Sequence, residues 1–438
     1  MMKHQLNRRG FLKSTGAGLV GLAAMNYTAL AKGLGSTGVS PNDKIVIGMI
    51  GVGGMGMSRL NGFLEHADVE IAAICDVDSR HVDRAVSTVQ QKRNHTPRRV
   101  HDYRDLLDMT DIDAVAVVTP DHWHALPTVH ACEAGKDVFV EKPLSYSVGE
   151  GRAMARAAET YQRVTQMGNH IHNDLPNYRR VVERIKSGQL GKVTRVQIWK
   201  SSGEVTRGNL SETTPPPELD YDFWLGVAPK RPYSPLRSHG TWRYFWDYSG
   251  GDFMDFWCHI SDVAYWALDL KAPDRISAIG GRFFNLDGAE TPDAFEAQFS
   301  FPGLNYTFSL HPGPMPGFEH MGNIVCVFQG TEATLVTTYG KHEVYVDGKK
   351  VEDMPEPTLH IPDSPGHLRE FLDAIKSRNM NTTCNVGYGH QLTKAGLLAN
   401  IAYRSGSTIL WDDEREEIIG NPTAAQMLSE SFRLSWML

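Results

Sequence analysis

From residue 44 onward, apolar positions fall into two textures. The segments KIVIGMI (44–50), VEIAAICDVD (69–78), IDAVAVVTP (112–120) and KDVFVEKP (136–143) are apolar and β-branched with little alternation. Such runs suit parallel strands covered on both faces. Between them MSRLNGFLEH, the segment carrying Arg80, Val82 and Arg84, and HALPTVHACEAG show helical spacing, and VTQMGN (164–169) reads as a last strand. Strands alternating with helices predict βαβ units and a doubly wound parallel sheet. Past about residue 170 the pattern changes. NYRRVVERIKSGQLGKV reads as one amphipathic helix, and an irregular region containing TTPPPELDYDFWLGVAPKRPYSP follows. From DRISAIGGRFF onward, short alternating segments (AFEAQFSF, NYTFSLH, NIVCVFQG, ATLVTTYG, HEVYVDGKKV) are bounded by Gly, Asp and Asn turns. They predict a large, mainly antiparallel sheet in a second, α+β domain. HLREFLDAIKSR and GHQLTKAGLLANIAYRSG return to helical spacing.

Chemistry sits at the ends of the early strands. Gly51, Gly53 and Gly56 form G-x-G-x-x-G between a strand and a helix, with Gly54 and Met55 inside the motif. Such a turn lets backbone approach a pyrophosphate and aims helix N–H groups at it. Asp76 ends the next strand, about 20 residues on, where a carboxylate can accept both ribose hydroxyls. Asp76 would repel a 2′-phosphate and so favours NAD, while the nearby Ser79 and Arg80 leave NADP as an alternative. Thr119, Pro120 and His124 follow the third strand, and Glu141 and Lys142 follow the fourth. All five belong to the expected cofactor contacts, because open α/β sheets bind ligands at strand carboxyl ends.

GGDFMDFWCHISD (250–262) mixes core residues with Asp255, Cys258, His259 and Asp262. A metal site is disfavoured, because Cys258 and His259 point about 100° apart on a helix. No HExxH or CxxC cluster supplies further ligands either. A plain core helix would bury two carboxylates and an imidazole, which is expensive. A proton relay accounts for the i, i+4 spacing: His259 takes a hydroxyl proton, and Asp255 positions the substrate or tunes His259. Asp262 is a candidate for orienting the ring. His170, His172 and Tyr178 follow the crossover strand, and Arg243 lies among aromatics; these four, with Asp255 and His259, are the expected substrate contacts.

Taken together, the glycine motif, the T-P…H segment, GKDVFVEKP and G-G-D-x-x-x-x-x-x-H-x-x-D resemble the Gfo/Idh/MocA family over nearly all of the chain beyond its leader. DFWLGVAPKRPY, WDYSGGD, HLREFLDAI and NIAYRSG resemble a secreted, twin-arginine-bearing subgroup of it. The resemblance implies a Rossmann domain plus an α/β domain whose open sheet supports a homo-oligomer, a dimer or tetramer. It also implies a catalytic Lys142, Asp255 and His259, and NAD lying across Gly51, Gly53, Gly56 and Asp76.

Arg8-Arg9, the apolar GAGLVGLAAM and the ALA at 29–31 have the layout of a twin-arginine export signal. The expected organisation is a signal at 1–31, a linker at 32–43, a Rossmann domain at 44–168 and a substrate and oligomerisation domain at 169–438. A net charge of −7 gives no basic field for nucleic acid, and no apolar run is long enough for a membrane span. The five cysteines lack disulfide spacing. The expected function is an exported, periplasmic NAD-dependent oxidoreductase acting on a sugar or polyol through tightly bound cofactor. The alternatives are glycoside cleavage through transient C3 oxidation, and a non-catalytic sugar-binding protein.

Overall fold

The computed structural model describes residues 43–202, 208–429, 433 and 436, so the expected export signal lies outside the described residues. Six short strands, β1 (Ile45–Ile50), β2 (Val69–Cys75), β3 (Arg98–Val100), β4 (Ala114–Val117), β5 (Asp137–Val140) and β6 (Thr165–Met167), form a parallel sheet in the order β3-β2-β1-β4-β5-β6. β1, β4 and β5 are buried on both faces apart from one half-buried position, Val46, which explains their unbroken apolar sequence. Helices α1 (Gly54–Phe63), α2 (Ser79–Arg93), α3 (Ala125–Glu133) and α4 (Val148–Thr160) make the crossovers. α4 is started by a capping box between Ser147 and Glu150.

After α5 (Pro176–Lys186) comes β7 (Val193–Ser202), which the hydrophobic pattern alone did not announce. β7 lies at the centre of a second sheet with β8 (Arg275–Gly281), β9 (Ala294–Phe301), β10 (Leu304–Pro312), β11 (Ile324–Gly330), β12 (Thr334–Thr337), β13 (His342–Val346), β14 (Lys349–Val351), β15 (Ile409–Asp412) and β16 (Glu417–Ile418). Its order is β14-β13-β12-β11-β7-β10-β9-β8-β15-β16, antiparallel except for the β7–β10 pair. The expected segment HEVYVDGKKV is a hairpin, β13 and β14, turning at Asp347-Gly348.

Helix α6 (Gly251–Leu268) lies on the inner face of this sheet. Phe253 meets Phe295 and Phe308 at 4.5 and 5.0 Å, and Trp257, fully buried, meets Phe299 at 4.9 Å. Beneath it, α8 (Val386–Ser405) accepts the Trp257 indole N–H at the Leu392 carbonyl, 2.7 Å away. α7 (His367–Ser377) belongs spatially with the parallel sheet, although it falls late in the chain. Its Phe371, Leu372 and Ile375 join the core of β1 and β2, and Phe371 packs on Phe139. All five cysteines are free and buried. Among the described residues, no helix is long and apolar enough to cross a membrane.

Candidate active site

The carboxyl ends of β1, β2, β4 and β5 open on one cleft of about 350 Å³. The chain leaves β1 through Gly51 at φ +83°, a conformation that side chains disfavour, and a Cβ there would meet the Val118 carbonyl at 2.6 Å. α1 then starts at Gly54 with no side chain capping its free N–H groups. A Cβ at Gly54 would meet nothing within 4 Å, so the cradle facing the cleft is open. Asp76 accepts the Val52 N–H at 2.8 Å and the Asp78 N–H at 2.9 Å, which ties the ribose-side carboxylate to the glycine turn. The Thr119 hydroxyl lines the same cleft, buried and without a partner. An open backbone cradle, a carboxylate at its edge and an orphaned hydroxyl form a donor and acceptor set that fits NAD. Arg80 would be the cation for a 2′-phosphate, but it forks onto the buried Asp78 at 3.0 and 2.6 Å. Asp78 also lies with His81 and His239 in a cluster whose geometry could hold a metal ion; the Arg80 guanidinium already supplies the positive charge there.

At the far end of the cleft, Lys142 reaches α6. Its Nζ donates to Asp255 Oδ1 at 2.6 Å and to the Asp255 carbonyl at 2.8 Å. Arg243 Nε approaches the same Oδ1 at 3.2 Å, and its guanidinium lies over the Trp242 ring at 4.4 Å. Burial alone would raise the Asp255 pKa, but the two cations hold its carboxyl well below the usual range. His259, one turn on, makes no hydrogen bond among the described residues, and its ring stands 5.8 Å from that of His170. Burial first, then the Lys142 and His170 charges, push the His259 pKa well below the ordinary histidine value, with Asp255 pulling upward against them. The imidazole is therefore neutral at pH 7, the form that accepts a proton. Glu141 lines the cleft and takes an ion pair from Arg59 on α1.

Three expected contacts lie elsewhere. His124 bonds the Pro143 and Thr119 carbonyls at 2.8 and 3.0 Å, pinning two loops together behind the cleft. His172 is buried against Trp266 with its rings stacked at 4.2 Å, and bonds Asp262 at 3.0 Å. Asp262 therefore orients His172 rather than His259, with Asn169 donating at 2.7 Å and Tyr388 closing the set. Tyr178 is fully buried beside Tyr339 and belongs to the core. Cys258 faces away from the cleft, its Sγ on Thr393 at 3.6 Å.

Sequence reasoning missed several residues of the site, among them Asp121, which lines the cleft, and Arg59, which pairs with Glu141. Asp121 accepts the Ser249 hydroxyl at 2.6 Å and has its pKa raised by burial. Its signal was its place directly after Thr119-Pro120. Arg59, on the second turn of α1, carried no motif.

A histidine base with a depressed pKa fixes the sign of the pH dependence. Its basic form persists below the ordinary histidine value of 6.5 and is lost only as pH falls through the folded pKa. The acid limb of kcat/KM for oxidation should therefore lie below pH 6.5. In Asp255→Asn, which removes the upward pull, the limb of the residual activity should move lower still. A wild-type limb above the ordinary histidine value would exclude His259 as the base.

Comparison with known proteins agrees with this architecture. Residues 45–169 match the family model described as an oxidoreductase family with NAD-binding Rossmann fold, and residues 177–278 match its C-terminal alpha/beta domain. A glycosyl hydrolase family 109 protein of Shewanella putrefaciens is 34% identical over 211 residues, 43% of this chain and 45% of the relative. The chain thus matches less than half the length of that relative. Among solved structures, the WlbA dehydrogenase of Bordetella pertussis in complex with NADH and UDP-GlcNAcA superposes with a TM-score of 0.60 at 17% identity, covering 84% of this chain and 99% of the other. Levoglucosan dehydrogenase in complex with NADH and levoglucosan gives 0.58 at 18%, covering 84% and 99%. The two family models together take in more than half of the sequence, and with its NAD-binding Rossmann domain the chain belongs to the Gfo/Idh/MocA oxidoreductase family.

Proposed function

We propose that the protein transfers a hydride between a secondary hydroxyl carbon of a sugar, glycoside or other polyol and a tightly held NAD. The twin arginines at 8–9 support export to the periplasm, and the family resemblance supports a homo-oligomer. One observation carries the reading: Lys142, at the end of the glycine-turn cleft, pairs with Asp255, which shares a helix face with His259 one turn on. NAD, when bound, supplies the hydride acceptor. His259 takes the hydroxyl proton and returns it in the reverse direction. Lys142 polarises the oxygen as charge develops on it, and Asp255 with Arg243 fixes the ammonium in place. The His170 ring borders that of His259.

The test uses protein purified without added nucleotide. Addition of sugars to it should raise the absorbance of reduced nicotinamide, and native mass spectrometry should find one NAD per subunit. A nucleotide-free protein that stays inert toward sugars when NAD is supplied would overturn the reading.

The family 109 relatives favour a second reading. Oxidation at C3 of a glycoside acidifies the C2 proton, so the C1 substituent can be eliminated, and re-reduction leaves no net redox change. The same groups would serve, with His259 or Asp121 placed to move the additional proton. Aglycone release without accumulation of reduced nicotinamide separates this reading from the first.

A further inference from the structure

The outer wall of the cleft comes from outside the parallel sheet. Phe223, Trp224, His239 and Trp242 line it, all from the irregular segment that follows β7. On the β2 side this segment is tied down by a β-bridge between Asp78 and Leu219 and by the Ser79 N–H donating to the Glu218 carbonyl at 3.0 Å. His239 adds a bond to Asp78 at 3.0 Å. On the β4 side the Trp123 indole N–H donates to the Trp224 carbonyl at 2.9 Å.

Behind the short helix Tyr221–Leu225 sits a second layer. Arg433 donates through Nε to the Gly226 carbonyl at 2.6 Å and through Nη2 to the Asp222 carbonyl at 2.9 Å, while Nη1 meets the Asp222 carboxylate at 2.9 Å. The guanidinium thus satisfies carbonyls at the end of a helix too short to hold itself together. An exposed Arg433–Asp222 pair would by itself hold little. Trp436 stacks on Phe223 at 5.2 Å and 22°, and meets Trp123 edge-on at 4.9 Å and 82°. The Arg104 guanidinium lies over Trp436 at 5.0 Å. Trp436 therefore backs two aromatic side chains that face the cleft, Phe223 and Trp123, while Arg433 holds the backbone on either side of Phe223 and Trp224.

We propose that Arg433 and Trp436 are positioning residues for cofactor retention: they clamp the 221–226 turn against Trp123 so that Phe223 and Trp224 close over bound NAD. Release of NAD then requires the clamp to open. The inference rests on NAD binding and not on the choice of substrate.

The full-length protein, loaded with NAD, is the material for the test. Dissociation of NAD is followed after dilution into nucleotide-free buffer for the wild type, Arg433→Ala/Trp436→Ala and Trp436→Phe, beside thermal unfolding without NAD. The double variant should release NAD roughly tenfold faster or more, having lost an aromatic pair and a charge-assisted cap. Trp436→Phe, which keeps a ring on Phe223, should restore most of the retention, and the unfolding midpoint without NAD should stay close to wild type. An unchanged release rate in the double variant would overturn the proposal. So would faster release accompanied by a matching fall in the unfolding midpoint, which is general loosening. A wild type that binds NAD but oxidises no sugar removes the proposed function and leaves this test standing.

Discussion

His259→Ala and Lys142→Ala should each lower turnover by roughly 10²–10⁴-fold, the range for loss of a positioned acid–base group. For His259 the expectation rests on its isolation: it makes no hydrogen bond among the described residues, so truncation deletes a proton acceptor without breaking a structural network. α6 is held instead by Trp257, Phe253 and their sheet partners. His259→Ala should therefore keep the wild-type unfolding midpoint and retain NAD while losing turnover. Lys142→Ala removes one of two cations on Asp255; Arg243, at 3.2 Å, keeps the carboxylate ionised. The double variant should be little worse than either single one, because groups acting on one proton transfer are not additive. Steady-state kinetics at saturating NAD checks all three. Wild-type turnover in either single variant would remove the assignment.

The parallel sheet was legible because burial on both faces leaves a direct trace, an apolar run, and because each loop of the cleft follows such a run. Asp255 and His259 were legible from their spacing on one helix, and Lys142 from its place after a buried strand. β7 escaped because its second and third residues, Thr194 and Arg195, are exposed, and because the expected helix over NYRRVVERIKSGQLGKV ends at Lys186, short of the Gly188 and Gly191 turn that leads into Val193. Its alternation of Val196 and Ile198 with Gln197 and Trp199 was the available signal. The misplaced residues share a different cause. His172, Tyr178 and His124 lie near motif segments in the chain; distant partners decide the direction of the first two, and the Thr119 and Pro143 carbonyls that of His124. His172 is claimed by Asp262, 90 residues away, and Tyr178 by Tyr339. Nearness in sequence to a ligand-binding loop does not distinguish a side chain facing the cleft from one bracing it. The same holds for α7 on the parallel sheet and for Trp436 behind Phe223.

Gly56→Ala should abolish useful NAD binding, weakening it by about a hundredfold or more, equivalent to roughly 2.7 kcal/mol. A Cβ at Gly56 would press into the Gly51 carbonyl oxygen, and Gly51 is itself fixed against Val118, the residue after β4. The obstacle is backbone on both sides, so relief must come from moving α1 away from the turn. That shift takes the helix N–H groups off the cleft and loosens the buried side of α1, Leu60 and Phe63, costing about 1–3 kcal/mol of stability. Gly54→Ala is the matched control. Its Cβ would meet no protein atom within 4 Å, so the fold should keep its stability or gain slightly from better helix propensity. Gly54 also lines the cleft, so any loss of NAD affinity in that variant measures only the space a methyl takes from the ligand. Calorimetric titration with NAD and thermal unfolding of the two variants separate these roles. Equal affinity losses at equal stability would mean that both glycines serve the ligand directly, and that the contact between Gly56 and Gly51 does not set the position of the helix.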